Sequence, residues 1–343
     1  MKVLLFGWQK NHYFYEGLSE NIGRDNIFSF LPEIFMKKYG DKADSYDSSN
    51  VSEVLDDFDV IVFTPRSFYE KTFSRILNHK SNVLKVFLDL EDDFFLRNIY
   101  KSNEIKLYFK RELLRNVSIS DTIRWYPRYL YGSQVLPPIH RRIGLPYNFI
   151  ESLPYKIAVK NEKERKLKSL PLTVSLNNWN LNDPEKDRSL DLFFCLTLST
   201  IHERHSFYRK ARRLKYGSNP LKSIVCGGGM PKNEYIQNMM NSKVAVSIRG
   251  MGYDTDRYWE IPKYGAALFS QRIPIEIENN FEDGENALFF ENFTNFRSKF
   301  EKFVVKSNEW QQIAKQGKIH FETYHTPKQR VLRSFIKKLD LNF

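Results

Sequence analysis

Cysteine is nearly absent from this chain: Cys195 and Cys226 are the only two in 343 residues, and neither sits in a C-x-x-C pair or a Cys/His cluster. That pattern argues against a disulfide framework and against a structural zinc, and no metal site is expected. No stretch approaches the roughly 18 uninterrupted apolar residues of a membrane span. The opening MKVLLFGWQKNHYFYEG has too short an apolar run for a signal peptide. No solenoid-type repeat is present. These absences leave a chain expected to be soluble and cytoplasmic. Acidic residues are also scarce relative to basic ones, 41 against 53, for a net charge of +12. Such an excess says nothing of fold but favours anionic partners: nucleic acid, an anionic membrane surface or phosphorylated substrates.

What is present is enough apolar material for real cores, 41% of the residues, in a length that suits two domains. Short apolar runs recur as buried strands: KVLLFG (2–7), DVIVFTP (59–65) and VLKVFLDL (83–90). Helical patterns lie between them, with KLYFKRELL (106–114) mixing alternating apolar residues and a basic pair. Strands alternating with helices imply a parallel sheet of the doubly wound type. Residues 150–172 turn polar and charged, with a proline at either side, and read as a linker or a surface helix. The same rhythm then resumes. SLDLFFCLT (189–197), LKSIVCGGG (221–229), KVAVSIRG (243–250) and AALFS read as strands. The stretches 201–216, 232–242 and 256–265 between them read as helices, and the C-terminal stretch is mostly helical with a break near YHTPKQ. Two α/β units in tandem leave a cleft between them, the ordinary place for a ligand.

The most informative segment is SKVAVSIRGMGYDTDRYWEIPKYGAALFS, residues 242–270. A strand runs into Arg249, Gly250 and Gly252, and a helix starts near Asp256. A helix opening after a glycine loop at a strand's carboxyl end turns free N–H groups and its positive dipole end toward an anion. Arg257 at that helix start can grip a diphosphate bidentately, and Glu260, one turn on, can accept from ribose hydroxyls. The alternative for the same residues is an exposed i, i+3 ion pair capped by Asp254 or Asp256, of little energetic consequence.

The segment resembles the nucleotide-sugar-binding part of GT-B glycosyltransferases, of the spore-maturation-protein and family-1-like type. The shared features are the S-K strand, the glycine loop, the arginine, the glutamate one turn later, the G-A pair and the acidic EDGEN stretch. DLFFCLTLSTIHERHSFYRKA resembles the strand–loop–helix that opens the same domain, and LYFKREL a segment late in the preceding one. The resemblance implies a GT-B fold of two Rossmann-like domains across a cleft. The expected limits are 1–165 for the acceptor domain, 166–320 for the donor domain, and 321–343 for a helix crossing back. It implies a UDP- or GDP-sugar as donor substrate, with no cofactor required, and a glycan, lipid-linked glycan or protein hydroxyl as acceptor. Glu260 would hold the ribose, and Arg257, Arg249 and Arg204 would face the diphosphate. One departure stands out: the loop after Cys195 reads LTLSTIHER, without the glycine-serine pair frequent there.

An inverting transfer needs a base for the acceptor hydroxyl. Asp89 and Asp92, at the end of a first-domain strand, and His12, in the loop after the first strand, are the candidates. DLEDD (89–93) and DTD (254–256) also resemble the metal-binding carboxylates of GT-A enzymes; helix capping is the favoured reading of DTD. CGGGMPKNEY (226–235), with Gly228 central, would let a nucleotide base approach closely, or is an ordinary tight turn. RWYPRYLYGSQVLPPIHRR (124–142) interleaves basic and aromatic residues, suited to a sugar acceptor or single-stranded nucleic acid, or to packing on the first domain. The rival functions are a DNA-modifying glucosyltransferase, a non-catalytic nucleotide-sugar or nucleic-acid binding module, and a metal-dependent GT-A enzyme using 89–93.

Overall fold

The computed structural model describes residues 1–6, 13–30, 55–65, 67, 73–79, 82–90, 97–113, 166–171, 173, 188–197, 202–214, 221–250 and 253–339. Its strands form two parallel sheets. The first contains β1 (Val3–Phe6), β2 (Ile27–Phe30), β3 (Val60–Phe63), β4 (Leu84–Asp89), β5 (Leu107–Lys110) and β6 (Leu167–Ser169). They lie in the order β2-β1-β3-β4-β5-β6. The second contains β7 (Leu190–Cys195), β8 (Ser223–Cys226), β9 (Ser242–Ser247), β10 (Ala267–Gln271) and β11 (Leu288–Phe290). Their order is β11-β10-β9-β7-β8. Each sheet is thus built on one pattern, in which the second strand flanks the first on one side and the third flanks it on the other. That reversal opens a crevice at the carboxyl ends of the first and third strands.

The strands are apolar throughout because both faces of each sheet are covered. Alternation sorts their side chains. Val3, Leu5, Val60, Val62, Phe193, Ala245 and Leu268 enter one core that runs through both halves. Leu4, Phe6, Ile61 and Phe63 pack on the outer face of the first sheet. Leu192, Phe194, Val244 and Phe269 do so on the second. Helices α1 (Tyr13–Ile22) and α2 (Phe73–Asn78) serve the first sheet. The second has α3 (His202–Ala211), α4 (Lys232–Met240), α5 (Asp256–Lys263), α6 (Phe293–Phe300) and α7 (Glu309–Tyr324). No described helix is long and apolar enough to cross a membrane.

Several expectations need correction. KLYFKRELL supplies strand β5 rather than a helix, since both faces of Leu107–Lys110 are covered by the sheet's two cores. The stretch read as a linker contains β6, which pairs with β5, so the first sheet continues beyond residue 165. The sequence pattern argued against a disulfide framework, yet Cys195 and Cys226 are register partners on β7 and β8 and are joined by a disulfide.

The last helix, α8 (Pro327–Ser334), returns to the first domain. Thr326 caps it by accepting from the Gln329 amide at 3.3 Å, and Pro327 occupies its first turn. Its close approach to α1 depends on Gly17, where a Cβ would meet the Pro327 carbonyl and the Val331 side chain. Asn21 Nδ2 donates to the Lys328 carbonyl at 3.0 Å, and Phe335 packs edge-on against Phe14 at 4.8 Å. Gly17→Val is therefore expected to lose about 1–3 kcal/mol of stability through overpacking, read as a lower denaturation midpoint. An unchanged midpoint would show that α8 does not pack on α1 this closely.

Candidate functional site

The crevice of the second sheet lies where β7 and β9 end. Three segments meet there: residues after β7, the loop after β9, and the start of α5. Arg204, on α3, holds the first two together. Its Nη1 donates to the Thr197 carbonyl at 3.0 Å, its Nη2 to Ile248 at 3.1 Å and its Nε to Arg249 at 2.8 Å. The sequence placed Arg204 on the donor phosphates. In the structure it is a buried staple across the mouth of the crevice, because the carbonyls at the two strand ends need donors there. Burial, with the charges of Arg257 and Arg249 behind it, pulls its pKa down to about 10. Three guanidinium groups thus share one neighbourhood.

Arg249 is buried, and its guanidinium lies 5.4 Å from the ring centroid of Tyr253. Its amide donates to Gln271 Oε1 at 3.4 Å. Arg257, in the first turn of α5, donates from Nε to the Cys195 carbonyl at 3.0 Å, which brings it over the end of β7. Thr255 stands at the N-cap of α5 but makes no capping hydrogen bond; its hydroxyl is 3.1 Å from Ser247 Oγ. Asp256 is exposed in the first turn. Asp254, one of the two aspartates read as a cap, has its Oδ1 accepting from Trp259 Nε1 at 2.8 Å, since that indole is buried and needs an acceptor.

Glu260 follows Arg257 by three residues and shares its side of α5. It is half-buried, and Tyr235 of α4 donates to its Oε2 at 3.0 Å. Burial first, then the charge of Asp256, raise its pKa above the ordinary glutamate range. Burial and the Glu260 carboxylate raise the Tyr235 phenol, so it stays a donor. Tyr235 rests edge-on against Phe193 at 5.4 Å. Gly228 has φ 103°, and a Cβ there would come within 3.3 Å of Thr197 Cα, so the turn after β8 can approach the end of β7 only with glycine. Gly250 lies in the loop between Arg249 and α5, and Gly252 lies outside the described residues.

Among the base candidates, Asp92 and His12 lie outside the described residues. Asp89 is fully buried at the end of β4. It accepts from the Tyr108 hydroxyl at 2.6 Å and pairs with Lys110 at 3.1 Å and Arg97 at 3.5 Å. The aromatic–basic stretch 124–142 is also outside the described residues. No group of three or more His, Cys, Asp or Glu side chains that could hold a metal occurs among the described residues. The sequence reading missed Tyr235 as a partner of Glu260. KNEYIQNMM reads only as a helix, and nothing in it says that its tyrosine faces another helix's glutamate.

With this geometry in view, residues 199–335 match a family model described as "Glycosyl transferase-like". No curated protein matches the chain in sequence. A glycosyltransferase from Rickettsia africae superposes with a TM-score of 0.55 at 10% identity, over 98% of this chain and 97% of that one. Anabaena HepE, crystallised with UDP and glucose, superposes with a TM-score of 0.53 at 11% identity, over 98% of this chain and all of that one. The fold is GT-B: two parallel-sheet Rossmann-like halves facing one another. The glycosyl transferase-like match falls on the half that carries the arginine cluster and Glu260.

Arg204→Met leaves the buried Ile248 and Arg249 carbonyls, and the more exposed Thr197 carbonyl, without this donor. Each orphaned buried acceptor costs about 1–3 kcal/mol, so a marked drop in the denaturation midpoint is expected. Arg257→Met, which removes one such bond at a half-buried position, should cost far less. Equal losses in the two variants would refute the staple.

Proposed function

We propose that this protein is a glycosyltransferase that takes a sugar from a nucleotide-diphosphate donor, UDP-linked in the first instance, to an acceptor hydroxyl. One observation carries the reading. At the β7/β9 crevice, inside the glycosyl transferase-like segment, Arg249 and Arg257 flank the uncapped start of α5, and Glu260 stands one turn further along. The cations and the first-turn N–H groups suit a diphosphate, and the carboxylate suits the ribose hydroxyls beside it. The same groups would stabilise the charge that develops on the diphosphate as the glycosidic bond breaks. Tyr235 orients Glu260, and the glycine turn at Gly228 leaves room for the nucleotide base. UDP is the first choice because HepE, which shares the fold, was crystallised with UDP and glucose.

We assign Asp89 to holding the ends of β4 and β5, since Tyr108, Lys110 and Arg97 already engage its carboxylate. Asp92 and His12 are then the candidates to take the acceptor proton if configuration inverts. The acceptor is a hydroxyl on a glycan, a lipid-linked glycan, a protein or modified DNA, and the net charge of +12 favours an anionic one.

Thermal melting with UDP, GDP and UDP-glucose tests the donor site. A nucleotide at about a hundred times its dissociation constant stabilises by roughly 2.7 kcal/mol. Wild type is expected to respond to UDP and UDP-glucose, and Glu260→Ala to lose most of that response. If no nucleotide stabilises wild type, the reading is wrong. Repeating the titrations with and without a chelator reports any metal requirement.

The raised pKa of Glu260 gives a pH signature. Its folded-state proton is held more tightly than the unfolded chain holds it. The ionised side chain therefore detracts from stability as pH rises past the ordinary glutamate value. Without nucleotide, Glu260→Gln should melt at or above wild type near neutral pH. UDP binding to wild type should weaken as pH falls through the raised pKa, more steeply than binding to Glu260→Gln. The phosphate's own titration near pH ~6 is common to both proteins. Parallel pH profiles would remove Glu260 from the site.

A further inference from the structure

The loop that leads into α5 is held from the other domain, and the grip falls on one residue. Asp254 is 1% exposed and lies two residues before the helix. Its amide donates to Glu112 Oε1 at 3.2 Å. Its carbonyl accepts from Arg111 Nη2, and its Oδ2 pairs with Arg111 Nε at 3.4 Å. The remaining carboxylate oxygen takes the Trp259 indole of α5. Both backbone polar groups of a donor-domain loop residue are thus bonded to first-domain side chains.

Arg111 and Glu112 directly follow β5, the strand beside β4. The Arg111 amide donates to the Asp89 carbonyl at 2.9 Å, and Nη1 reaches the Leu90 carbonyl at 3.4 Å. One side chain therefore spans the first-domain strand end that carries Asp89 and the second-domain loop that carries Arg249 and precedes Arg257. Around it stand Tyr13 of α1 and Arg330 of α8, whose guanidinium lies 4.5 Å from the Trp259 ring centroid. Arg330 also donates to His325 Nδ1 at 2.8 Å.

A buried ion pair is a poor device for stability, because desolvation offsets much of the attraction. Its best-attested use is to fix one arrangement against others. Among the described residues the two halves share few backbone–backbone hydrogen bonds, such as Glu276 N–H to the Leu113 carbonyl at 2.6 Å. A residue bonded through both its amide and its carbonyl adds a directional constraint to such an interface.

We propose that Arg111 and Asp254 form an interdomain clasp that positions the donor loop, so that the diphosphate site is assembled only when the acceptor-side strand ends are in register with it. Arg111 and Asp254 are positioning residues and touch neither substrate. The proposal rests on the donor-site reading above and deepens it. Binding of nucleotide at the start of α5 and closure of the clasp then favour one another.

The test uses the full chain and UDP as the probe. Calorimetric titrations compare wild type with Arg111→Met, Asp254→Asn, the double variant and Arg111→Lys. Both single variants are expected to weaken UDP binding about tenfold or more. The double variant should do no worse than either single one, because one device is lost in each case. Arg111→Lys keeps the charge but cannot bridge the Asp254 carboxylate, the Asp254 carbonyl and Leu90 together; it should fold and bind at an intermediate strength. Lys243→Ala, which breaks an ion pair with Asp191 at the start of the second sheet, serves as a control for stability alone. Its affinity should stay at the wild-type value. Amide exchange adds a second reading: UDP should slow exchange at residues 111–113 in wild type, and that protection should vanish in Arg111→Lys while protection at α5 persists. If wild type does not bind UDP, the donor-site reading falls and the clasp with it. If wild type binds and the folded Arg111→Lys and Asp254→Asn variants match it within twofold, the clasp is overturned and the donor site stands.

Discussion

Parallel pairing of β7 with β9 is the constraint on which the rest of the second domain depends. Because β8 lies on the other side of β7, the chain leaving β7 and the chain leaving β9 diverge, and their carbonyls face a gap that neither strand can fill. Backbone polar groups at such a place need partners. Arg204 meets the need from α3, and a buried cation is thereby fixed at the mouth of the crevice. That cation and the converging Arg249 and Arg257 make the crevice unfavourable for positive charge and receptive to anions. The positive field at the crevice follows from topology plus one structural arginine, and Arg249 and Arg257 add to it.

How far the molecule could be read from its sequence follows the same division between local and tertiary causes. The long apolar strands were legible because both faces of a parallel sheet are covered, and a continuous run such as VLLF has no other use. β2 and β11 were not read as strands, since runs of three or four residues carry too little period. KLYFKRELL misled because its lysine and arginine suggest a solvated face. In the fold, Lys110 is fully buried against Asp89 and Arg111 is turned toward the other domain, so both charges belong to tertiary pairs. β6 was hidden by the charged stretch around it.

The candidate site divides in the same way. The spacing of Arg257 and Glu260 after a glycine loop is a local pattern, and the sequence displayed it. The staple role of Arg204 was not legible, because a sequence shows charge but not direction, and only the strand-end carbonyls explain where it points. Asp254 was read as a cap because aspartate before a helix commonly caps. Trp259 and Arg111 compete for its carboxylate, and a buried indole N–H with a cross-domain guanidinium is a stronger claim than one first-turn amide. Thr255, at the N-cap itself, makes no capping hydrogen bond.

Charge connects the site to the whole chain. The basic excess of +12 includes cations that are consumed internally: Arg204 on carbonyls, Lys110 on Asp89, Arg111 on Asp254 and Arg330 beside His325 and Trp259. Two of these four pair with the buried acids Asp89 and Asp254, and the other two satisfy neutral acceptors or stack on an aromatic ring. Among the described residues the buried cations outnumber the buried acids, and Arg204 and Arg249 place part of that excess at the second-sheet crevice. An anionic ligand bound there would relieve charge that the fold has already buried. Much of its binding free energy would then come from the protein's own interior rather than from its exposed basic surface, which salt screens far more effectively.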